Sequence, residues 1–136
     1  MTFDVAVVGA PFLDLTFVGL PRTPGLGEEV VARELRTAPG GTGMQAIGAA
    51  RLGLTTALIS PVGVDAGGEA LRSMFAAEGV AWIGRESQAT STTALLSTPD
   101  GVAMATALGE SEPSAEDVSG VDARAYALSL DRKSVV

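Results

Sequence analysis

The 136-residue sequence contains no cysteine and no histidine. Without cysteine there are no disulfides and no thiol nucleophiles, and without either residue type the usual zinc ligands and every histidine-based catalytic triad are excluded. Aromatic residues are also scarce, with one tryptophan and one tyrosine. Any acid–base chemistry must therefore come from carboxylates, lysine or Tyr126.

Positive charge is in short supply as well. Nine Lys and Arg residues face 16 Asp and Glu residues, which gives a formal net charge of −7 without a basic cluster. Neither a nucleic acid nor a membrane surface is therefore expected as a partner. The apolar run at the N-terminus is too short for a membrane span, and no basic segment precedes it as in a signal peptide. We expect a cytoplasmic protein.

Short apolar runs alternate with helix-like segments along the chain. Runs at 5–9, 55–60 and 80–83 end at or near glycine or proline, which is typical of strands buried in a parallel sheet. Segments 92–97 and 102–107 are joined by Pro-Asp-Gly, a strong hairpin signal. The order predicts an α/β domain with a β appendage.

The helix predicted after position 65 has clear end signals. Asp65 is placed to cap it, and Gly79 is placed to end it. Leu71, Met74 and Phe75 share one apolar face at helical spacing. We therefore expect Asp65 to be structural rather than catalytic. A capping box at 114–117 predicts a further short helix.

A glycine-rich stretch, Ala38-Pro-Gly-Gly-Thr-Gly, leads into a helix predicted over about 43–52. We interpret Gly40, Gly41 and Gly43 as a turn whose backbone a ligand can approach closely. The helix that follows would direct its unsatisfied N–H groups and positive dipole end at the same place, which suits an anion or polar oxygens. The alternative is that these glycines only make a tight connection.

Asp14 follows the first predicted strand, and ligands of open α/β sheets bind beyond the carboxyl ends of strands. The alternative is a turn or capping residue in a loop. Segments 13–18 and 29–35 are predicted as short strands outside the main sheet, separated by a segment rich in proline and glycine. They predict a small flap or lid.

Taken in order, these features resemble the ribokinase-like (PfkB-type) carbohydrate kinases. The resemblance runs from about 7 to 118 and rests on Val8-Gly9 before Asp14, Pro24-Gly25 with Glu28, Pro39-Gly40-Gly41, Ala50-Arg-Leu-Gly53, Val62-Gly63 with Asp65 and Gly68, and Glu78-Gly79-Val80. It implies the ribokinase-like doubly wound α/β sandwich, present here as an incomplete N-terminal half, with a small β-sheet lid. The lid would comprise about 13–18, 29–35 and 92–97.

The resemblance implies that the full-length protein transfers the γ-phosphoryl group of ATP, with Mg²⁺, to a hydroxyl of a sugar, nucleoside or related small molecule. Asp14 would accept hydrogen bonds from substrate hydroxyls, and Gly40 and Gly41 would present backbone N–H groups to the substrate. The lid would close over the substrate and exclude water. Lid strands are also candidates for a homodimer contact.

Two residues of the expected substrate site depart from the family pattern. The asparagine usual near the start of the helix falls on Met44, whose thioether is only a weak acceptor. Gln45 has suitable chemistry but lies about 100° further around the helix. Thr42 stands where a smaller residue is typical. These departures leave room for an acceptor that is less hydroxylated or partly apolar.

The family's Gly-Ala-Gly-Asp segment, which carries the catalytic base and the anion hole, is absent from the sequence, and so is the adenine pocket. We therefore expect no catalytic residue, no strong binding of ATP or Mg²⁺ and no kinase activity in the 136-residue chain. The alternative is a non-catalytic module that binds a small ligand. A Rossmann-type dinucleotide binder is disfavoured because the first strand is not followed by G-x-G-x-x-G.

Residues 1–130 are interpreted as the N-terminal part of a kinase domain, and residues 131–136 as a non-native tail. The tail reads Asp-Arg-Lys-Ser-Val-Val, and codons for these residues can match common sequencing-adapter DNA. The alternative is a genuine short C-terminus, which would leave a parallel sheet half built.

Overall fold

The computed structural model describes residues 1–110 and 112–129. Within them, groups of strands are separated by helices, which confirms the α/β prediction. The strands are β1 (Thr2–Val8), β2 (Pro11–Val18), β3 (Glu34–Gly41), β4 (Thr56–Ile59), β5 (Val62–Gly63), β6 (Ala81–Ile83), β7 (Glu86–Ser87), β8 (Thr92–Thr98), β9 (Gly101–Ala107) and β10 (Asp122–Leu128). The helices are α1 (Thr42–Arg51), α2 (Ala66–Ala77) and α3 (Ala115–Val118).

The main sheet is parallel and has the strand order β10-β1-β4-β6. Successive side chains of β1 point to opposite faces, so Val7 packs in one hydrophobic cluster while Ala6 and Val8 pack in another. The first cluster also contains Leu71 and Phe75 of α2. Burial on both faces explains why these strands are apolar without alternation.

A second sheet has the order β3-β2-β8-β9. The chain passes directly from the main sheet into this one, because β1 leads into β2. β2 pairs antiparallel with β3 and parallel with β8. β8 and β9 form the predicted hairpin. Leu13 of β2 is 8% exposed and belongs to the first hydrophobic cluster, so one face of this sheet packs toward the core.

The prediction of a strand at 29–35 was wrong in position. The strand is β3, and its register against β2 places Gly41 opposite Pro11 and Glu34 opposite Val18. Pairing with β2 therefore determines where β3 lies, and residues 19–33 form the connection. The same register extends β2 to Pro11, two residues before the predicted start at 13.

The predicted glycine-rich turn is also corrected by this register, because Ala38 to Gly41 are paired with β2 as part of β3. The chain changes direction only at Gly41, whose φ of 58° lies in the left-handed region that glycine tolerates. The helix predicted over about 43–52 is confirmed as α1, which begins at the next residue.

The end signals of α2 and α3 are confirmed. Asp65 is the N-cap of α2, and Gly79 follows the helix with a φ of 72°. Ser114 and Asp117 form the capping box of α3. The predicted tail at 131–136 lies outside the described residues. None of the helices within residues 1–110 and 112–129 is long and apolar enough to cross a membrane.

Candidate functional site

Asp14 lies inside β2, the strand that follows β1, so the alternative of a turn or capping residue in a loop is wrong. Its backbone is paired with Ala38 of β3 on one side and with Thr93 of β8 on the other. The residue is partly buried. A side chain in the middle of three paired strands has a fixed position, which suits recognition of a defined ligand atom.

Gly40 lies against the Asp14 carboxyl group. A Cβ atom placed on Gly40 would be 2.6 Å from the Asp14 Cγ atom and 2.7 Å from its Oδ1 atom, which is closer than real Cβ atoms come to other atoms. The carboxylate therefore occupies the space that any larger residue at position 40 would need. The structure brings these two predicted site residues together.

Gly41 is the N-cap of α1 and gives that helix no side-chain cap. The first turn of α1 also contains no acidic residue. The backbone N–H of Thr42 donates to the Ala10 carbonyl at 3.3 Å. The positive end of α1 thus has no carboxylate of its own in its first turn. Its N-cap, Gly41, directly follows Gly40, so this helix end suits polar ligand oxygens near Asp14.

Thr42 is buried, with 1% of its surface exposed. Its hydroxyl donates to the Gly9 carbonyl at 2.8 Å and so ties the start of α1 to the end of β1. Gly9 has a φ of 143°, and a Cβ there would be 2.8 Å from the Thr42 methyl group. The side chain of Thr42 is therefore part of the junction between the two sheets.

Met44 is 64% exposed and lies in the first turn of α1. Gln45, the neighbouring amide, is exposed as well. Ala46 and Ile47 are buried in the next positions, so the helix presents Met44 and Gln45 away from the core. The structure thus places Met44 at the same helix end as Gly41, whereas it turns Thr42 inward.

Sequence reasoning identified Asp65 as a cap but missed its second partner. The Asp65 carboxylate accepts hydrogen bonds from the Gly68 N–H at 2.9 Å, the Thr90 hydroxyl at 2.6 Å and the Thr90 N–H at 2.9 Å. The bonds from Thr90, followed by that from Gly68, hold the pKa of Asp65 below its usual value. Asp65 thereby fixes the segment that leads into β8. A contact across 25 residues has no local signal in the sequence.

The described residues form no cluster of metal ligands. Within residues 1–110 and 112–129 there is no group of three or more acidic side chains that could hold a metal ion. A cavity of about 460 Å³ is open to solvent near Phe3, Ile83 and Val121, and none of the predicted site residues lines it. No step of a metal-dependent reaction is therefore assigned to these residues.

The family model of the pfkB family carbohydrate kinases matches residues 3–121. The ribokinase of Bacillus subtilis (strain 168) is 37% identical over 78 residues, which are 57% of this chain and 26% of that protein. A structure of Arabidopsis thaliana ribokinase complexed with ribose and ATP matches with a TM-score of 0.68 and 25% identity over 81% of this chain and 37% of that chain.

A second solved structure, Cryptococcus neoformans ribokinase in complex with ADP, matches with a TM-score of 0.64 and 24% identity over 81% of this chain and 35% of that chain. The fold predicted from the resemblance is thus confirmed. The chain spans about a quarter of the curated relative and little more than a third of each of these two structures.

Proposed function

Because the chain belongs to the pfkB family of carbohydrate kinases, we propose that it forms the acceptor-binding part of an enzyme that transfers the γ-phosphoryl group of ATP to a hydroxyl of a sugar or related small molecule. One observation carries this proposal. The Asp14 carboxylate lies over Gly40, and Gly40 directly precedes Gly41, the N-cap of α1. The Asp14 carboxylate, which accepts hydrogen bonds, and the N–H donors at the start of α1 thus lie side by side.

In this proposal Asp14 accepts a hydrogen bond from a hydroxyl of the acceptor. The carboxylate of Asp14 is charged, so it accepts a stronger hydrogen bond than a neutral oxygen would. Because Asp14 lies in a paired strand, its carboxylate also fixes the position of the substrate. Gly40 and Gly41 keep the approach free of side chains, and backbone N–H groups there and in the first turn of α1 bind substrate oxygens.

The other two predicted residues act differently in the proposal. Met44 lies at the rim and offers an apolar surface to the acceptor, because its side chain is exposed at the start of α1. Thr42 does not touch the acceptor through its side chain, since its hydroxyl is bound to Gly9. It keeps the backbone of Gly41 and the start of α1 in place.

We also propose that the full-length protein uses ATP with Mg²⁺, and that the 136-residue chain alone binds the acceptor without transferring phosphate. The relatives' structures were determined with ATP or ADP, which supports a nucleotide in the family. When bound, magnesium ATP supplies the phosphoryl group and neutralises its charge. The described residues offer no metal-binding cluster for it.

Binding of sugars to the chain tests the proposal. The purified 136-residue protein is titrated with D-ribose and with D-fructose while backbone amide signals are followed by NMR. We expect signals of Gly40, Gly41 and the first turn of α1 to shift, and Asp14→Asn to weaken binding at least tenfold. The matched control is Asp100→Asn, which changes an exposed carboxylate in the β8–β9 turn of the same sheet.

If Asp14→Asn and Asp100→Asn bind as the unchanged chain does, the acceptor site is wrong. ATP turnover in the presence of either sugar and Mg²⁺ would contradict the expected inactivity of the chain. Binding at Asp14 by a full-length protein that never consumes ATP would instead support a non-catalytic ligand-binding module.

The second sheet is further proposed as a homodimer contact. Every residue of its edge strand β9 is exposed, and the strand carries Val102 and Met104 with exposed fractions of 53% and 66%. Exposed apolar edge strands readily pair with another chain. We expect light scattering of the unchanged chain to give twice the monomer mass. Met104→Lys should lower the measured mass toward that of the monomer. A monomer at all concentrations would contradict this contact.

A further inference from the structure

A row of side chains crosses the second sheet on the face that carries Asp14. Asp14 of β2 is paired with Ala38 of β3 and with Thr93 of β8, and Thr93 is paired with Thr106 of β9. Residues directly opposite one another on neighbouring strands project to the same face of a sheet. The row therefore places one carboxylate and two hydroxyl groups next to each other.

The two hydroxyl groups are joined. The Oγ1 atoms of Thr93 and Thr106 are 2.9 Å apart, and either can be the donor. Thr93 is 2% exposed, whereas Thr106 is exposed. A threonine hydroxyl has one proton and two acceptor positions. When the buried Thr93 donates to Thr106, the proton and one acceptor position of Thr106 remain for a ligand.

The spacing of the row matches one small polyhydroxylated molecule. Neighbouring strands lie about 4.8 Å apart, so the backbones of Asp14 and Thr106 are separated by about 10 Å across two strand intervals. Both side chains project from the same face, and two hydrogen bonds of about 2.8 Å, one to each side chain, leave about 4 Å of that distance for the ligand itself. A single sugar ring with a hydroxyl at each side can span it.

We propose that Thr106 binds a second hydroxyl of the acceptor, distant from the one bound by Asp14, and that Thr93 is a positioning residue that orients the Thr106 hydroxyl. This inference rests on the proposed function and specifies its substrate class, an acceptor with hydroxyls on both sides of a sugar-sized ring. Such an acceptor is more hydroxylated than the partly apolar acceptor for which Met44 leaves room. Binding experiments can therefore distinguish the two kinds of acceptor.

Isosteric and conservative variants of both threonines test the proposal in the 136-residue chain, with D-ribose and its 2-deoxy, 3-deoxy and 5-deoxy forms as probes in calorimetric titrations. Thr106→Val removes the hydroxyl at nearly constant volume and should weaken ribose binding about tenfold, while Thr106→Ser should bind like the unchanged chain. Thr93→Val should weaken binding several-fold, and Thr93→Ser should restore it.

The deoxy sugars show whether Thr106 touches the ligand. One of them should bind the unchanged chain more weakly than ribose does but lose nothing further in Thr106→Val, because both changes remove the same hydrogen bond. The control is Thr37→Val, which removes an exposed hydroxyl from β3 at a position that projects to the opposite face. It should leave binding unchanged.

The outcomes separate this inference from the proposed function. If Asp14→Asn abolishes ribose binding while Thr106→Val leaves it intact, the acceptor site stands and the role of Thr106 is wrong. Equal losses in Thr106→Val and Thr37→Val would also overturn it. If Thr93→Ser fails to restore what Thr93→Val loses, the positioning role of Thr93 is rejected. An unchanged chain that binds none of these sugars would reject both proposals.

Discussion

Asp65 connects the beginning of α2 to the segment that leads into β8, and Asp65→Ala measures what this connection contributes to stability. The carboxylate accepts one hydrogen bond from Gly68 inside the helix and two from Thr90. Thr90 lies two residues before the start of β8. Loss of the carboxylate should therefore affect both the helix end and the attachment of the second sheet.

The expected magnitude follows from these three bonds. Loss of an N-cap costs about 1 kcal/mol. Each bond from Thr90 contributes roughly 0.5–1.5 kcal/mol net, and we take the lower part of that range because Asp65 is exposed and its bonds are screened by water. Asp65→Ala should thus lower the free energy of unfolding by about 2 kcal/mol. Asp65→Asn should lower the free energy of unfolding by about half as much, since the amide oxygen of asparagine still accepts hydrogen bonds.

Urea denaturation followed by the fluorescence of Trp82, the single tryptophan, gives the free energy of unfolding. The matched control is Glu69→Ala, which removes an exposed acidic residue from the first turn of the same helix. It should change stability by less than about 0.5 kcal/mol. If Asp65→Ala is as stable as Glu69→Ala, the connection to Thr90 does not hold the second sheet and the reasoning is refuted.

The remaining predictions concern pH and the site. The pKa of Asp65 is lowered in the folded chain by its bonds to Thr90, so its contribution is complete above the unfolded pKa of about 3.9 and is lost as the pH falls through the folded pKa. The stability gap between the unchanged chain and Asp65→Asn should accordingly narrow in urea titrations below that pH, and a constant gap would contradict this. Gly40→Ala should displace the neighbouring carboxylate and abolish ribose binding in titrations, whereas Gly48→Ala, where a Cβ meets nothing within 4 Å, should bind normally. Thr42→Val should lower the free energy of unfolding by about 1–3 kcal/mol, because the Gly9 carbonyl loses its buried donor. Thr42→Ser keeps the hydroxyl and should retain most of the stability of the unchanged chain. If both variants are equally destabilised, the effect comes from packing rather than from the hydrogen bond.

Local signals predicted the helices well. Asp65 at one end of α2 and Gly79 at the other act through hydrogen bonds and backbone angles within one turn, so the sequence alone defines them. The hairpin of β8 and β9 was predictable for the same reason, because its two-residue turn lies between the strands it joins.

The position of β3 was not predictable in this way. The apolar residues of 29–35 suggested a strand, yet the structure forms it at Glu34–Gly41 because β2 provides hydrogen-bond partners there. Register between strands separated by a 15-residue connection depends on the fit of two whole strands, and no short segment specifies it. The pairing of Asp14 with Thr93, and of Thr93 with Thr106, escaped prediction for the same reason.

Gly40 and Gly41 have different local structures, although their sequence context suggests one role for both. Both glycines suggested a turn whose backbone a ligand can approach, but Gly40 lies in strand β3, and what excludes a side chain there is the Asp14 carboxylate. Gly41 has a φ of 58° and is required by the backbone itself. Two adjacent identical residues therefore meet different structural requirements, since Gly40 leaves space for the Asp14 carboxylate and Gly41 precedes the start of α1. Only the register of β2 against β3 distinguishes them, and that register places the Asp14 carboxylate against Gly40.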